Sequence, residues 1–453
     1  MQPTGNKKYF QLIPGKVYQD FSAIEDLLRT EIKGYSTDNL KEILSIVACH
    51  TRKDNGSSQL QMTYIRKLVV HGDKYLKGLI DLNIIQRSGN AIVGKSSYQY
   101  NFAPDYQSKY ISLPLNNAKL IRRIEKAQTE VRKISAKSIR GHSEQLKYLK
   151  LLTIAPGYDD FIEANYTAET DQYNSIVSSA TRIINSDIFY SVDSTSGRFH
   201  SNITNMNKGL RPYLRINDEP LINLDIKNSQ PYLSTILLTN PGKVSYLTKN
   251  PAFALLLNSL KVSLSQDVKK YVLLVNSGQI YEYLKNEFSI EGLELTRDET
   301  KRQVLRILFA RNRMPKDETN KKAREIFKSR FPKVYRIFSK IRGSEKGDKF
   351  HNYKRFAILL QRIESFLMLD VILKRIYKEL PGTIAITVHD SIMTGVLTNN
   401  VDAVRKIMID ELTFFVGFAP NIKIEGIIEE KGREKEESTI SNQYAGHYLV
   451  NIN

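Results

Sequence analysis

Two stretches of the chain alternate apolar and polar residues with the two-residue period of a strand. Residues 220–232 read PLINLDIKNSQPY, where Ile222, Leu224 and Ile226 alternate with Leu221, Asn223 and Asp225. This predicts a strand with one apolar face and Asp225 at its polar end, closed by the turn-prone Lys-Asn-Ser that follows. Residues 383–396 read TIAITVHDSIMTGV: an apolar run enters His389-Asp390-Ser391 and then resumes. The pattern predicts a hairpin with an aspartate at its tip.

Helical spacing dominates elsewhere. Ser36 and Thr37 offer an N-cap to a helix over 38–50, and two more helices are expected over 60–70 and 73–82. Short β-like runs follow at 84–87, 91–93 and 98–102, the first two joined by Ser88-Gly89-Asn90. A long basic helical stretch spans 115–152 with a bend near Gly141, and residues 153–190 give no clear period. Strands and turns carry 188–238, and helices run on to Arg342. A Gly/Lys-rich loop, a helix over 352–379, the hairpin, a helix over 401–415 and a last strand over 421–428 complete the pattern, before a charged, polar tail from Glu429. The fold class is α+β.

The chain has 453 residues, 67 Lys+Arg against 48 Asp+Glu, and a net charge of +19. Its length suits two or three domains. One cysteine, Cys49, excludes a disulfide framework and a multi-Cys zinc site and reads as a buried helix residue. No apolar run approaches the roughly 20 residues of a membrane span, and the first residues lack a signal-peptide core, so a cytoplasmic protein without membrane contact is expected. The charge is clustered: Lys119–Lys150 carries +7 and Arg297–Arg342 carries +11, nearly the whole surplus. Clustered cations point to nucleic acid as partner.

Three helices followed by a small hairpin resemble a winged helix-turn-helix over 1–110. The resemblance implies duplex DNA binding through the third helix, presenting Lys74, Tyr75 and Lys77, with Arg87, Lys95 and Tyr98 on the wing. Protein contacts are the other use of such a module.

An aspartate at the tip of an apolar hairpin is unusual, because carboxylates avoid such company unless they bind something. Asp225 and Asp390, ending neighbouring strands, could hold two divalent cations about 3.5–4 Å apart, Mg²⁺ by preference and Mn²⁺ as the substitute. Each taken singly reads rather as a strand-end cap or turn residue.

In chain order these segments resemble the polymerase core of family-A DNA polymerases. SGRFHSNITNM is similar to the TGRLSS…PNLQN stretch, with Arg211-Pro212-Tyr213 after it; LDIKNSQPYL is similar to motif A and TVHDSI to motif C. KRQVLRILF stands where motif B (RxxxKxxxF) belongs, and FKSRFPKVYRIF resembles the helix after it. The resemblance implies a right-hand fold with two metal ions held by Asp225, Asp390 and the backbone carbonyl of Ile226. It implies nucleotide contacts from Arg302, Arg306, Phe309 and Gln230. Primer-template contacts would come from Arg198, Asn205, Arg211, Gln361 and His389. The basic helices would act as a reduced thumb through Lys119, Arg122, Arg123, Arg132, Lys133 and Lys137. The implied organisation is a winged helix over 1–110, thumb or linker over 111–190, palm over 191–240 and 350–428, fingers over 241–349 and a tail over 429–453. No proofreading exonuclease is expected in so short a leader, and replication of a phage or mobile element is the analogous setting.

The departures matter. Arg306 replaces the lysine of motif B and Phe309 arrives one residue early. Gln230 stands for the motif-A glutamate that excludes a ribose 2′-hydroxyl, and Ser391 gives the HDS form of motif C found in single-subunit phage-type RNA polymerases. Sugar choice is therefore open between a DNA polymerase and an RNA polymerase or primase. A non-catalytic DNA-binding initiator or regulator and a template-independent terminal transferase remain as other readings. Glu364 reads as a helix-face residue, and Tyr335, Tyr353 and Tyr377 as core.

Overall fold

The computed structural model describes residues 9–49, 58–60, 62–89, 97–138, 142–168, 170–343, 354–396 and 400–426, the side chains of 58–59 and 131–138 excepted. Within them helices and strands are mixed throughout, giving an α+β protein with two apolar cores.

The first core gathers residues from Tyr9 to Ala127. Strand β1 (Tyr9–Pro14) pairs antiparallel with a distant strand, so that Tyr9 lies opposite Leu115. Between them lie helices Phe21–Glu31, Thr37–Cys49, Met62–Leu68 and Gly72–Asp81. Strands β2 (Ser58–Gln59), β3 (Ile85–Ser88) and β4 (Gln99–Phe102) form a small sheet in the order β2-β4-β3. The partner of β1 is β5 (Tyr110–Leu115). The run expected at 91–93 lies outside the described residues. Helix Gly72–Asp81 packs so tightly on helix Phe21–Glu31 that Gly78 leaves no room for a side chain against Leu28. The expectation that Tyr75 would be presented to DNA fails: its ring is fully buried and its hydroxyl accepts from the Ser36 amide at 2.6 Å. It lies on the face that carries Leu76 and Leu79 into the core, while Lys74 and Lys77 point outward. The Cys49 thiol ends helix Thr37–Cys49 half-buried, and burial pushes it up to about 12.

The second core runs from Leu146 to Ile422 and is built on a mixed-length antiparallel sheet. Strands β6 (Leu152–Ile154), β9 (Leu214–Ile216), β10 (Glu219–Ile226), β11 (Ala385–Val388), β12 (Ser391–Gly395) and β13 (Ile422–Glu425) compose it. A separate hairpin joins β7 (Tyr190–Val192) and β8 (Phe199–Ser201). The β9–β10 turn is Asn217-Asp218, both at positive φ, as a tight two-residue hairpin demands. β10 is central: β12 pairs with it over Leu221–Asp225 and β13 over Asn223–Ile226, on opposite edges. Both faces of β10 are covered, not one: Leu221 and Asn223 are buried like Ile222 and Leu224, and Asp225 is the residue left half-open near its end.

A block of six helices spans Pro251–Arg342. Thr296 and Glu299 form a capping box that starts helix Arg297–Phe309. Its C-terminal carbonyls are bracketed by Arg342, which is 1% exposed and donates to Ile307 O, to Leu308 O at 3.2 Å and to Asn312 Oδ1 at 2.9 Å. Arg324, also buried, donates to the carbonyls of Arg311 and Arg313 at 2.9 and 2.7 Å. Arg330 is held by Glu287 and Glu291. Part of the positive charge over 297–342 therefore stabilises the block itself.

Helix Arg355–Ser365 continues through a π-helical turn, Phe366–Ile372, into helix Leu373–Glu379. Such a turn shifts the register of side chains on either side of it and recurs at functional sites. Among the described residues, no helix is long and apolar enough to cross a membrane.

Candidate active site

The end of β10 and the tip of the β11–β12 hairpin meet. Asp225 lies opposite Ser391 across the strand pair, and the Ile226 amide donates to the Asp390 carbonyl at 3.4 Å. The hairpin turn is His389-Asp390 with positive φ at His389, a position where glycine costs least. Asp390 is fixed from the other side: Ser229, the first residue of helix Ser229–Ser234 after β10, donates to its Oδ2. The Ser391 side chain is buried, and its hydroxyl donates to Val388 O at 2.9 Å and closes the hairpin.

Charge crowding follows from this geometry. Burial, then the negative charges of Asp390 and Glu425, push the Asp225 carboxyl up to about 6, against the opposing charges of Lys208 and Lys301. No described residue donates a hydrogen bond to that carboxylate. Glu425, on β13, is desolvated, but the hydrogen bond from Lys423 at 2.9 Å and the charge of Lys208 hold it below its usual value. Arg211 faces Asp225, Glu425 and Asp390; burial lowers its guanidinium, the three carboxylates support it, and its Nε has no partner. Asp225, Asp390 and Glu425 therefore feel one another's charge, and Lys208, Arg211 and Lys301 are the cations that share that field.

Among the described residues no group of three or more His, Cys, Asp or Glu side chains closes into a metal cage. The donor set nonetheless fits a hard cation: oxygen-only, crowded enough to raise Asp225, and open on one side. Asp225 and Asp390 would hold it, with substrate oxygens and water completing the shell.

Gln230 lies five residues beyond Asp225, and its Nε2 donates to Glu364 Oε2 at 2.5 Å. Arg198 makes a bidentate pair with the same carboxylate, Nε to Oε1 and Nη2 to Oε2, both at 2.8 Å. His389 packs edge-on against His200 with ring centroids 5.8 Å apart. Burial, with the charges of Arg198 and His200, drives its imidazole down to about 4, so it is neutral at pH 7; its Nδ1 has no partner. Asn205 is exposed at the end of helix Asn202–Asn205, and Gln361 is half-buried on the helix that carries Glu364.

The other residues have contacts of their own. Arg302 and Arg306 are exposed on helix Arg297–Phe309, Arg302 near Glu299 at 3.9 Å and Arg306 bonded to Asn320 at 3.0 Å. The cation of that helix whose charge reaches Asp225 is Lys301. Phe309 packs on Phe356. Lys119 and Arg122 are exposed and Arg123 half-buried at the start of helix Ala118–Ser138, while the side chains of Arg132, Lys133 and Lys137 lie outside the described residues. Lys74 is exposed and Arg87 stacks over the Tyr98 ring at 4.6 Å; Lys95 and Tyr353 lie outside the described residues.

Sequence reading missed Lys208, Ser229, Lys301, Glu364 and Glu425. For Lys301 a signal existed: Arg297-Asp-Glu-Thr-Lys301 has the R-x-x-x-K spacing of motif B, and Arg297 is fixed by Glu282 at 2.6 Å. The others are marked only by tertiary neighbours.

The fold and site define an α+β protein with a paired-carboxylate centre on an antiparallel sheet. No family model matches the chain, and no curated protein matches it. Among solved structures it is similar to "POL domain of Pol1 from M. smegmatis complex with DNA primer-template and dNTP", with a TM-score of 0.37 and 12% identity. The similarity covers 92% of this chain and 66% of that one, so the chain spans just under two thirds of that structure's length.

Proposed function

We propose that the chain is a template-directed nucleotidyltransferase, a compact DNA polymerase related to family A, acting on a primer-template and nucleoside triphosphates. The observation that carries this reading is the junction of Asp225 and Asp390, two carboxylates from distant segments brought to one end of one sheet. Divalent cations bound there would supply activation of a primer 3′-hydroxyl and stabilisation of the departing pyrophosphate. The chain's own residues do the rest. Ser229 and the hairpin orient Asp390, Lys301 and Arg211 neutralise phosphate charge, and Arg198, Gln361 and His389 line the primer side. The block over 251–342 would serve as fingers, the sheet as palm and the helices over 118–149 as thumb. The N-terminal module would recruit duplex DNA through Lys74 and Arg87, as a winged helix does. Replication of a phage or mobile element suits such a fusion.

Primer extension by wild type, Asp225→Asn and Asp390→Asn, with dNTPs and with NTPs, tests the reading. Either substitution is expected to lower the rate by about a thousandfold or more, since metal-held charge is worth several kcal/mol in the transition state. Equal product from wild type and Asp390→Asn sinks it. Faster use of NTPs, without a primer, would instead make the chain an RNA polymerase or primase on the same site.

A further inference from the structure

Glu364 is the least exposed carboxylate among the described residues, at 2%. Both of its oxygens accept: two bonds come from Arg198 and one from Gln230. A carboxylate that only accepts dictates how the amide beside it must turn. Nε2 of Gln230 faces Glu364, so Oε1 faces away from it. That Oε1 is buried and has no hydrogen-bond partner. A buried acceptor left unpaired is disfavoured, and the missing donor is one that a ligand can bring.

We propose that Glu364 is a positioning residue of the nucleotide pocket. It holds Gln230 with its carbonyl oxygen presented to a hydroxyl or N–H of the incoming nucleotide, and it ties that amide to Arg198 on the primer side. Sugar choice then depends on the Gln230–Glu364 pair and not on the bulk of residue 230 alone. The identity of the ligand rests on the polymerase reading above. The pairing also explains why an amide stands at 230: a carboxylate there would meet Glu364 with like charge in a desolvated site.

A charge swap decides it. Gln230→Glu, Glu364→Gln and the double variant are compared with wild type by kcat/KM for dNTP and NTP incorporation, and by equilibrium binding of dATP and ATP. Gln230→Glu is expected to lower dNTP kcat/KM by about 10- to 100-fold, the worth of a lost charged hydrogen bond. The dNTP:NTP ratio should move by about tenfold in each single variant. In the double variant the amide placed at 364 can donate to the carboxylate placed at 230 and still accept from Arg198, so activity should return to within about threefold of wild type. Melting curves show separately that each variant is folded, which a purely structural role would affect without moving the ratio. An unchanged sugar ratio in both single variants, or a double variant no better than Gln230→Glu, overturns the proposal. A wild type that binds nucleotides but extends no primer would overturn the polymerase reading and leave the binding ratio to decide on Glu364. A wild type that binds neither nucleotide would end both.

Discussion

Asp225 carries a cost whenever it is ionised. Its carboxyl is raised to about 6, so the folded chain holds this proton more tightly than the unfolded one between about pH 4 and 6. Stability therefore falls as pH rises through that window and stays lower above it. Asp225→Asn should raise folding stability at pH 8 in chelator by on the order of 1 kcal/mol, after discounting for partial exposure, and should give no gain below about pH 4. Thermal melts at both pH values check this, and a loss at pH 8 would contradict it. Activity runs the other way: the extension rate should climb as Asp225 ionises near pH 6, and the climb should move to lower pH as Mg²⁺ rises. His389, already neutral above about pH 4, should add no second titration between pH 5 and 8, so His389→Gln should leave the shape of the profile unchanged.

At the scale of elements, what could be read from the chain was what is local. Strand β10, the β11–β12 hairpin and the helix over 401–416 announce themselves through two- and four-residue periods. The β1–β5 pair does not, because its strands meet across the whole N-terminal module and no short-range pattern encodes that. Helix faces are the other blind spot. Lys301 and Arg302 are neighbours in sequence, and only the burial of Gln303, Val304, Ile307 and Leu308 decides which of them turns toward Asp225. Glu364 likewise reads as a solvated helix residue until Arg198 arrives from a hairpin far upstream. Arg342 is a further case, a cation that reads as nucleic-acid-binding and serves as the C-terminal bracket of helix Arg297–Phe309. Arg342→Ala should destabilise the protein by roughly 2–4 kcal/mol, because buried carbonyls lose their donor and a cavity opens. Arg302→Ala should change stability by less than about 0.5 kcal/mol. Denaturant titration distinguishes them, and similar values for both would contradict the assignment.

Over the whole molecule, the surplus charge divides into cations that hold the fold and cations that remain outside. Arg297, Arg324, Arg330 and Arg342 belong to the first kind. Lys119 and Arg122, exposed on the first turns of helix Ala118–Ser138, belong to the second. Reversing both, Lys119→Glu with Arg122→Glu, should weaken primer-template binding and flatten the slope of log affinity against log salt by about 2, with no change in melting temperature. An unchanged slope would remove this helix from the nucleic-acid surface. The carboxylate pair, by contrast, depends on the packing of the entire second core, since β10, the hairpin and β13 converge from three separate parts of the chain.

The most direct measurement is crystallography of the wild type soaked in Mn²⁺, with the ion located by its anomalous signal. At least one peak in contact with both the Asp225 and the Asp390 carboxylates is expected, and it should disappear in Asp390→Asn. Mn²⁺ bound elsewhere, or a clean map between the two aspartates at saturating ion, would contradict the account.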